Sequence, residues 1–161
     1  MNNVYLQLGT NMGDRFENLC QSIALISQKI GVVIKKSKVY ESVPWGVENQ
    51  NCYLNQVICV KSKFNAFDTL QQALEIEKNM GRIRIEKWGE RIIDIDILFY
   101  DDKIIESDNL CIPHEFIHKR NFVLKPMCEL EPNFVHPKLK KTISELLDES
   151  KDEENVTIYE A

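Results

Sequence analysis

Residues 91–100, RIIDIDILFY, constrain the fold more than any other segment, because their pattern is that of a β-strand. Successive side chains of a strand point to opposite faces, so Asp94 and Asp96 share one face, about 7 Å apart. The isoleucines between and beside them face the other way. Aspartate is depleted in strands, and the apolar residues around this pair predict a strand in the centre of a sheet.

The two neighbouring carboxylates predict a magnesium site. Two ionised carboxylates in a sheet repel each other and lose hydration, which a divalent cation compensates. Mg²⁺ prefers oxygen ligands and commonly uses one or two carboxylates together with substrate phosphates. The strand alone also allows the alternative that Asp94 and Asp96 belong to a polar face exposed to water.

The other periodic segments predict an α+β domain. Asp14 with Glu17 three residues later resembles a helix-capping box, and Asn65 is a plausible N-cap for a second helix that ends at Gly81. The predicted order is strand 3–9, helix 14–30, strands within 31–43 and 52–62, helix 66–80 and strand 92–100. This β-α-β-β-α-β order predicts a ferredoxin-like antiparallel sheet with helices on one face, followed by a C-terminal helical extension after Pro113. We expect residues 1–161 to form a single domain.

Composition excludes several classes of protein. Hydrophobic residues at 43% and charged residues at 28% are ordinary for a soluble domain, and no apolar run approaches the roughly 20 residues that span a membrane. The first residues, MNNVYLQLG, show no secretion signal, so we expect a cytoplasmic protein. Five cysteines without a C-x-x-C pair favour neither a disulfide framework nor a cysteine-rich zinc site.

The net charge of −5 arises from the C-terminal tail. Residues 148–161 hold six acids and one lysine, which leaves 19 acids and 19 bases in the rest of the chain. A neutral body argues against a nucleic-acid partner, which normally requires a basic surplus. Residues from about 150 onward are predicted to be a flexible tail, whose removal after Glu149 should leave activity nearly intact.

A basic segment precedes the aspartate strand. Residues 81–91, GRIRIEKWGER, carry four cations between and beside two glycines. Guanidinium groups bind phosphate oxygens, and a loop with glycine hinges is able to close over a ligand. We therefore expect phosphates to lie between this loop and the carboxylates. A Walker P-loop is excluded, because GTNMG at 9–13 lacks the G-K-[ST] ending.

Two further patterns suggest binding chemistry. Alternation in CYLNQV places Tyr53 and Asn55 on one face, where an aromatic ring beside an amide suits a flat heterocycle. His114, Glu115 and His118 spell H-E-x-x-H, the helical signature of zinc hydrolases. Pro113 permits a helix only to start here and the third zinc ligand of that signature is missing, so this alternative is disfavoured.

The chain resembles the 6-hydroxymethyl-7,8-dihydropterin pyrophosphokinases of folate biosynthesis over essentially residues 3–137. The resemblance lies in YLQLGTNMGDRFENL, ESVPWG, YLNQV, E-x-x-x-GRIR-x-EKWGERIIDIDIL, IPH and R-x-FVLKP-x-x-E-x-x-P, in this order. It implies a ferredoxin-like enzyme that transfers the pyrophosphoryl group of ATP to the hydroxymethyl group of a reduced pterin and releases AMP. A non-enzymatic ferredoxin-like binding module is the remaining alternative.

The resemblance also implies roles for individual residues. Asp94 and Asp96 look like the ligands of two Mg²⁺ ions, with Arg82 and Arg91 acting on the phosphates. The nucleotide would be met by Glu77, Arg84, Trp88, Ile97, His114 and Arg120. The pterin would lie between Tyr53 and Phe122 and would bind Asn55 and the backbone of Ser42, Val43, Pro44, Trp45 and Gly46. Glu90 and Glu115 depart from the family pattern. We expect a monomer without nucleic-acid or membrane partners.

Overall fold

The computed structural model describes residues 1–43, 52–81 and 92–160. Predicted site residues outside these ranges are Pro44, Trp45, Gly46, Arg82, Arg84, Trp88 and Arg91, together with the departure at Glu90. The described part of the chain contains no helix that is long and apolar enough to cross a membrane.

The described residues form a six-stranded antiparallel sheet, a separate two-stranded sheet of β6 and β7, and four α-helices. The strands are β1 Asn2–Thr10, β2 Gly31–Lys36, β3 Tyr40–Ser42, β4 Tyr53–Ser62, β5 Asp94–Tyr100, β6 Ile105–Glu106, β7 Cys111–Ile112 and β8 Val156–Ile158. The helices are α1 Arg15–Lys29, α2 Ala66–Asn79, α3 Asn121–Leu130 and α4 Ile143–Glu149, with a 3₁₀ turn at Ile117–Lys119.

Local capping defines where the first two helices begin. The Asp14 side chain accepts a hydrogen bond from the backbone N–H of Glu17, and the Asn65 side chain accepts one from Asp68. Each bond satisfies one of the N–H groups that a helix leaves unpaired at its start. The predicted starts of both helices are therefore confirmed.

The main sheet has the order β5-β1-β4-β3-β8, and β2 also pairs with β4. The long antiparallel pairing of β1 with β4 sets Gly9 opposite Asn55 and Gln7 opposite Val57. On its other side, β1 sets Gly9 opposite Asp94 and Gln7 opposite Asp96. The register therefore brings the polar residues of β4, β1 and β5 to one end of the sheet.

Helices cover both faces of the sheet, whereas the order of the segments predicts helices on one face. One core holds Leu6 and Leu8 of β1 against α1 and α2. The opposite core holds Tyr5 and Val57 against α3 and α4. The C-terminal extension is apolar on one side, and it buries that side on the face that α1 and α2 leave open.

β5 is an edge strand, which corrects the prediction of a central one. Among the described strands it pairs with β1 alone. It is nevertheless buried, because Ile95 and Ile97 lie in the core under α1 and α2 while Leu98 and Phe99 lie in the opposite core. An apolar strand sequence reports burial of its two faces, and it carries no information on whether both edges are paired.

The acidic tail packs on the sheet, which corrects the prediction of a flexible segment and removes the basis for expecting that its deletion leaves activity intact. Val156–Ile158 forms β8, which pairs antiparallel with β3. Val156 is buried, and its carbonyl oxygen accepts a hydrogen bond from Lys125 Nζ at 2.8 Å. Acidic composition predicted disorder, but the short β-branched stretch VTI adds a strand to an available edge.

Candidate active site

The polar residues of β1, β4 and β5 lie on the sheet face that α3 covers. They are next to the hydrophobic core that α3 and α4 form with this face. Leu6 and Leu8 of β1 point into the core under α1 and α2, so Gln7 and Gly9 face the α3 side. Gly9 stands between Asn55 and Asp94 in the register, and a Cβ there would lie 3.5 Å from Asn55 Oδ1. Because Gly9 has no side chain, none projects from β1 between Asn55 of β4 and Asp94 of β5.

Asp94 and Asp96 lie on this same face of β5. Asp96 is exposed and Asp94 is half-buried, while Ile95 and Ile97 are each 5% exposed and belong to the opposite core. Carboxylate oxygens on one face of a strand, one pair of them on the exposed Asp96, are hard ligands of the type that Mg²⁺ accepts. The donor set therefore fits a magnesium site.

Glu77 belongs to α2, contacts β5 between the two aspartates, and is 4% exposed. Its Oε2 accepts a hydrogen bond of 2.8 Å from the backbone N–H of Ile95. That N–H belongs to the residue between the two aspartates, on the edge of β5 away from β1. The buried carboxylate thus satisfies a strand-edge donor, and a direct contact of Glu77 with the nucleotide stays a prediction.

A pocket of about 250 Å³ opens along the same edge of β5. It is lined by Leu70, Ile95, Asp96, Ile97, Asn109, Leu110, Cys111, His114, Glu115 and Phe116. A lining of apolar side chains with two carboxylates and an imidazole is typical of pockets in which a few polar groups orient a ligand. Ile97 and His114, both predicted nucleotide contacts, line this one pocket.

His114 is held at the pocket by its backbone and its ring. Its N–H donates to Leu98 O at 3.1 Å, and its Nδ1 accepts from Phe116 N at 3.4 Å. Burial lowers the pKa of the imidazole; Arg120 lowers it further, whereas Asp96 and Glu115 raise it. A neutral ring whose Nδ1 accepts carries its proton on Nε2, so His114 is a hydrogen-bond donor at neutral pH.

Arg120 contacts two aromatic rings at the start of α3. Its guanidinium carbon is 5.0 Å from the Phe116 ring centroid and 5.6 Å from that of Phe122. Cation–π contacts of this kind hold a guanidinium in place without neutralising its charge. The charges of Arg120 and of Asp96, which is 18 residues before His114 in the chain, both act on the His114 imidazole.

The predicted pterin residues lie on the β4 side of Gly9. Asn55 Nδ2 donates to Ser42 Oγ at 2.8 Å, which fixes the orientation of a buried amide. Tyr53 is half-buried at the start of β4, and Phe122 is half-buried in the first turn of α3. Ser42 and the exposed Val43 are the described residues of the predicted 42–46 pterin segment.

Gln7 is a buried site residue that the sequence reasoning missed. Its Nε2 donates to Phe122 O at 3.3 Å and lies 3.5 Å from Asn55 Oδ1, so it links α3 to β4 across β1. Its Oε1 is buried and lacks a hydrogen-bond partner among the described residues. A polar residue in the strand VYLQLG signals such a role, because a buried amide must find partners.

The H-E-x-x-H residues do not lie on one helix. His114 and Glu115 precede the 3₁₀ turn Ile117–Lys119 that contains His118. His114 lines the pocket beside β5, whereas His118 lines a separate groove with Lys119 and Glu149. In a zinc hydrolase of this class both histidines project from one face of a helix, so the geometry disfavours that alternative.

Comparison with known proteins finds a matching family model and similar sequences. The model of the 7,8-dihydro-6-hydroxymethylpterin-pyrophosphokinase family matches residues 5–132. The 2-amino-4-hydroxy-6-hydroxymethyldihydropteridine pyrophosphokinase of Aquifex aeolicus is 41% identical over 150 residues, which cover 93% of each chain. The Bacillus subtilis protein of the same name is 40% identical over 132 residues, covering 81% of this chain and 79% of its own.

Solved structures share the fold at low sequence identity. Plasmodium falciparum HPPK-DHPS with pteroate superposes with a TM-score of 0.76 at 20% identity, over 91% of this chain. An HPPK-DHPS complex with substrates gives 0.72 at 16% identity. The chain spans 42% and 43% of the lengths of these two structures. The family match and the relatives at about 40% identity lead to one conclusion: the chain belongs to the 7,8-dihydro-6-hydroxymethylpterin-pyrophosphokinase family.

Proposed function

We propose that this pyrophosphokinase brings ATP and the reduced pterin together on the open end of the α3 face. The enzyme class follows from the family: it transfers the pyrophosphoryl group of ATP to 6-hydroxymethyl-7,8-dihydropterin in folate biosynthesis. The observation that carries the proposed site is the register at Gly9, which has Asn55 on one side and Asp94 on the other. An acceptor bound at β4 and phosphates bound at β5 would meet above that glycine.

The nucleotide half of the site is assigned to β5, the pocket at its edge and the start of α3. Asp94 and Asp96 would hold two Mg²⁺ ions, which supply charge neutralisation on the phosphate oxygens when bound. His114 would donate from Nε2 to a phosphate oxygen, and Arg120 would pair with another. Ile97 would contact the adenine ring from the pocket wall. Arg82, Arg84, Trp88 and Arg91 belong to this proposal as predicted phosphate and nucleotide contacts outside the described residues.

The pterin half is assigned to β3, β4 and the first turn of α3. Tyr53 and Phe122 would stack on the two faces of the ring, and Asn55 would read its hydrogen-bonding edge. Ser42 holds the Asn55 amide, so the edge groups are oriented before the ligand arrives. The backbone from Ser42 to Gly46 is proposed to complete this set.

The reaction needs alignment and charge stabilisation more than covalent chemistry. The hydroxymethyl oxygen attacks the β-phosphorus, and the bond from that phosphorus to the oxygen shared with the α-phosphate breaks. AMP leaves with the bonding electrons, and the hydroxyl proton passes to water. His114 and Arg120 stabilise the charge that develops on the phosphate oxygens. We assign no general base.

The strand order β5-β1-β4-β2 supports a ferredoxin-like assignment of the sheet, with β3, β8 and the C-terminal helices as additions. We further propose a monomeric, cytoplasmic enzyme without nucleic-acid or membrane partners. Sedimentation of the purified protein with and without ligands tests the monomer. A dimer at working concentration would contradict it.

The test of the function is product analysis. With Mg²⁺, ATP and 6-hydroxymethyl-7,8-dihydropterin, the enzyme should form AMP and the pterin pyrophosphate in equal amounts, without ADP. A zinc hydrolase would lose activity to a zinc-selective chelator under excess Mg²⁺, and a binding module would form no AMP.

The test of the metal assignment uses charge-removing variants. Asp94→Asn and Asp96→Asn should each raise the Mg²⁺ concentration for half-maximal activity at least about tenfold, because each removes an anionic ligand. Asp102→Asn is the matched control, since Asp102 is exposed and lies just beyond β5. Wild-type Mg²⁺ dependence in both site variants would remove Asp94 and Asp96 from the metal site.

A further inference from the structure

Helix α3 obtains its N-terminal cap from the C-terminal tail. Its N-cap residue Arg120 makes no side-chain capping bond within the described chain, and the first turn of α3 contains no acid. Instead, Asp152 Oδ2 accepts from the backbone N–H of Asn121 at 2.8 Å. The Asn121 side chain returns a bond of 3.1 Å from its Nδ2 to Asp152 O. A carboxylate at a helix N-terminus satisfies a free N–H and complements the helix dipole.

The tail holds Asp152 in this position by its own bonds. Asp152 Oδ1 accepts from Glu154 N at 2.9 Å, so both carboxylate oxygens of Asp152 are engaged, and Asp152 N donates to Ser150 Oγ. Burial and, to a lesser extent, the Asp152 carboxylate raise the pKa of Glu154 to about 7, against the opposing effect of Arg120. The Glu154 carboxylate therefore lies near both Asp152 and the Arg120 guanidinium.

Four residues later the same tail is bonded to the opposite wall of the site. β8 pairs with β3 so that Val156 lies opposite Ser42, the residue that orients Asn55. Tyr159 N donates to Val39 O at 2.8 Å, which extends the attachment past the end of the strand. Lys125 Nζ of α3 donates to Val156 O, so α3 is also hydrogen-bonded to the first residue of β8.

We propose that residues 152–158 are a strap that holds α3 against β3, and that Asp152 is a positioning residue for Arg120 and Phe122. The proposal rests on the proposed function, because those two residues are the assigned phosphate and pterin contacts. Arg120 immediately precedes the capped N–H and Phe122 immediately follows it. Loss of the cap lets this turn fray, which lowers the fraction of molecules with both side chains in place and weakens binding by that fraction.

The experiment compares Asp152→Ala with Thr142→Ala. Thr142 caps α4 in the same way, through a capping box with Glu145, and α4 lies outside the proposed site. Loss of either cap should lower stability similarly. Asp152→Ala should weaken pterin binding by about threefold to tenfold, measured calorimetrically with Mg²⁺ and a non-hydrolysable ATP analogue. Thr142→Ala should leave that affinity unchanged, and Asp152→Asn, which keeps an acceptor oxygen, should restore most of it.

Hydrogen exchange supplies a readout that needs no turnover. Asp152→Ala should speed amide exchange in residues 120–124, whereas Glu153→Ala, which removes the same charge from an exposed neighbour, should not. Unchanged exchange in 120–124, or pterin affinity no weaker than in Thr142→Ala, would overturn the strap. A wild-type enzyme that forms no AMP would instead refute the proposed function and leave the exchange result standing.

Discussion

The buried carboxylate of Glu77 offers the sharpest test of how the fold supports the metal site. Its Oε2 bonds the N–H of Ile95, between the two aspartates, and the side chain is 4% exposed. Glu77→Ala removes the acceptor and leaves a buried N–H without it, at a cost of about 1–3 kcal/mol. The cavity left by the missing side-chain atoms adds about 1 kcal/mol or more. We therefore expect the free energy of unfolding to fall by about 2–4 kcal/mol.

The same substitution should weaken magnesium activation. Without the bond to Ile95 the edge of β5 is free to shift, and a displacement of the aspartates disturbs the geometry that a small octahedral cation demands. Glu77→Gln keeps an oxygen acceptor at nearly the same position, so it should lose less stability and retain more activity than Glu77→Ala.

Urea unfolding at pH 7 and the Mg²⁺ dependence of AMP formation measure the two effects. Glu75→Ala is the control, because Glu75 is exposed on the same helix. If Glu77→Ala unfolds at the same urea concentration as Glu75→Ala and needs no more Mg²⁺ than wild type, the bond to Ile95 does not position the aspartates.

Two further predictions concern a buried histidine and the pterin wall. Burial lowers the pKa of His136 from 6.5 to about 4, so the unfolded chain takes up a proton before the folded one does, and stability should be lost as pH falls from about 6.5 to about 4. Urea unfolding at pH 7, 5.5 and 4 should show that the free energy of unfolding falls by about 2–3 kcal/mol over this range, and that it falls less in His136→Asn. If the free energy of unfolding of the variant falls with pH as steeply as that of the wild type, His136 is not the source of the loss. Ser42→Ala should weaken pterin binding about fivefold with little effect on ATP binding, because it releases the Asn55 amide. Equal losses for both ligands, measured by calorimetry, would contradict this role.

Sequence patterns predicted the features of the fold that depend on neighbouring residues. The helix starts at Asp14 and Asn65 follow from capping bonds that span three residues. The strand at 94–100 follows from alternation, and so does the shared face of Asp94 and Asp96. Both signals are local, because a cap and a pleat are formed by residues within one turn or one strand.

The wrong predictions all concern the partners of an element. The apolar sequence of β5 predicted a central strand, yet among the described strands it is an edge, and Glu77 of α2 accepts a hydrogen bond from its Ile95 N–H. The acidic tail predicted disorder, yet Val156–Ile158 finds the open edge of β3. Whether the edge of a strand is paired, bonded to a side chain or free depends on segments dozens of residues away. A short sequence pattern therefore does not predict it.

The sequence by itself determined the family, the helix starts and the carboxylate face, since these reside in the order and spacing of particular side chains. Only the tertiary structure decided that the charges of Asp96 and Arg120 both act on His114, that Gln7 links α3 to β4, and that Asp152 caps α3 from the tail. The physical reason is that hydrogen bonds and charges act across a few ångströms of space. The packing of α3 on the sheet brings together residues that are far apart along the chain.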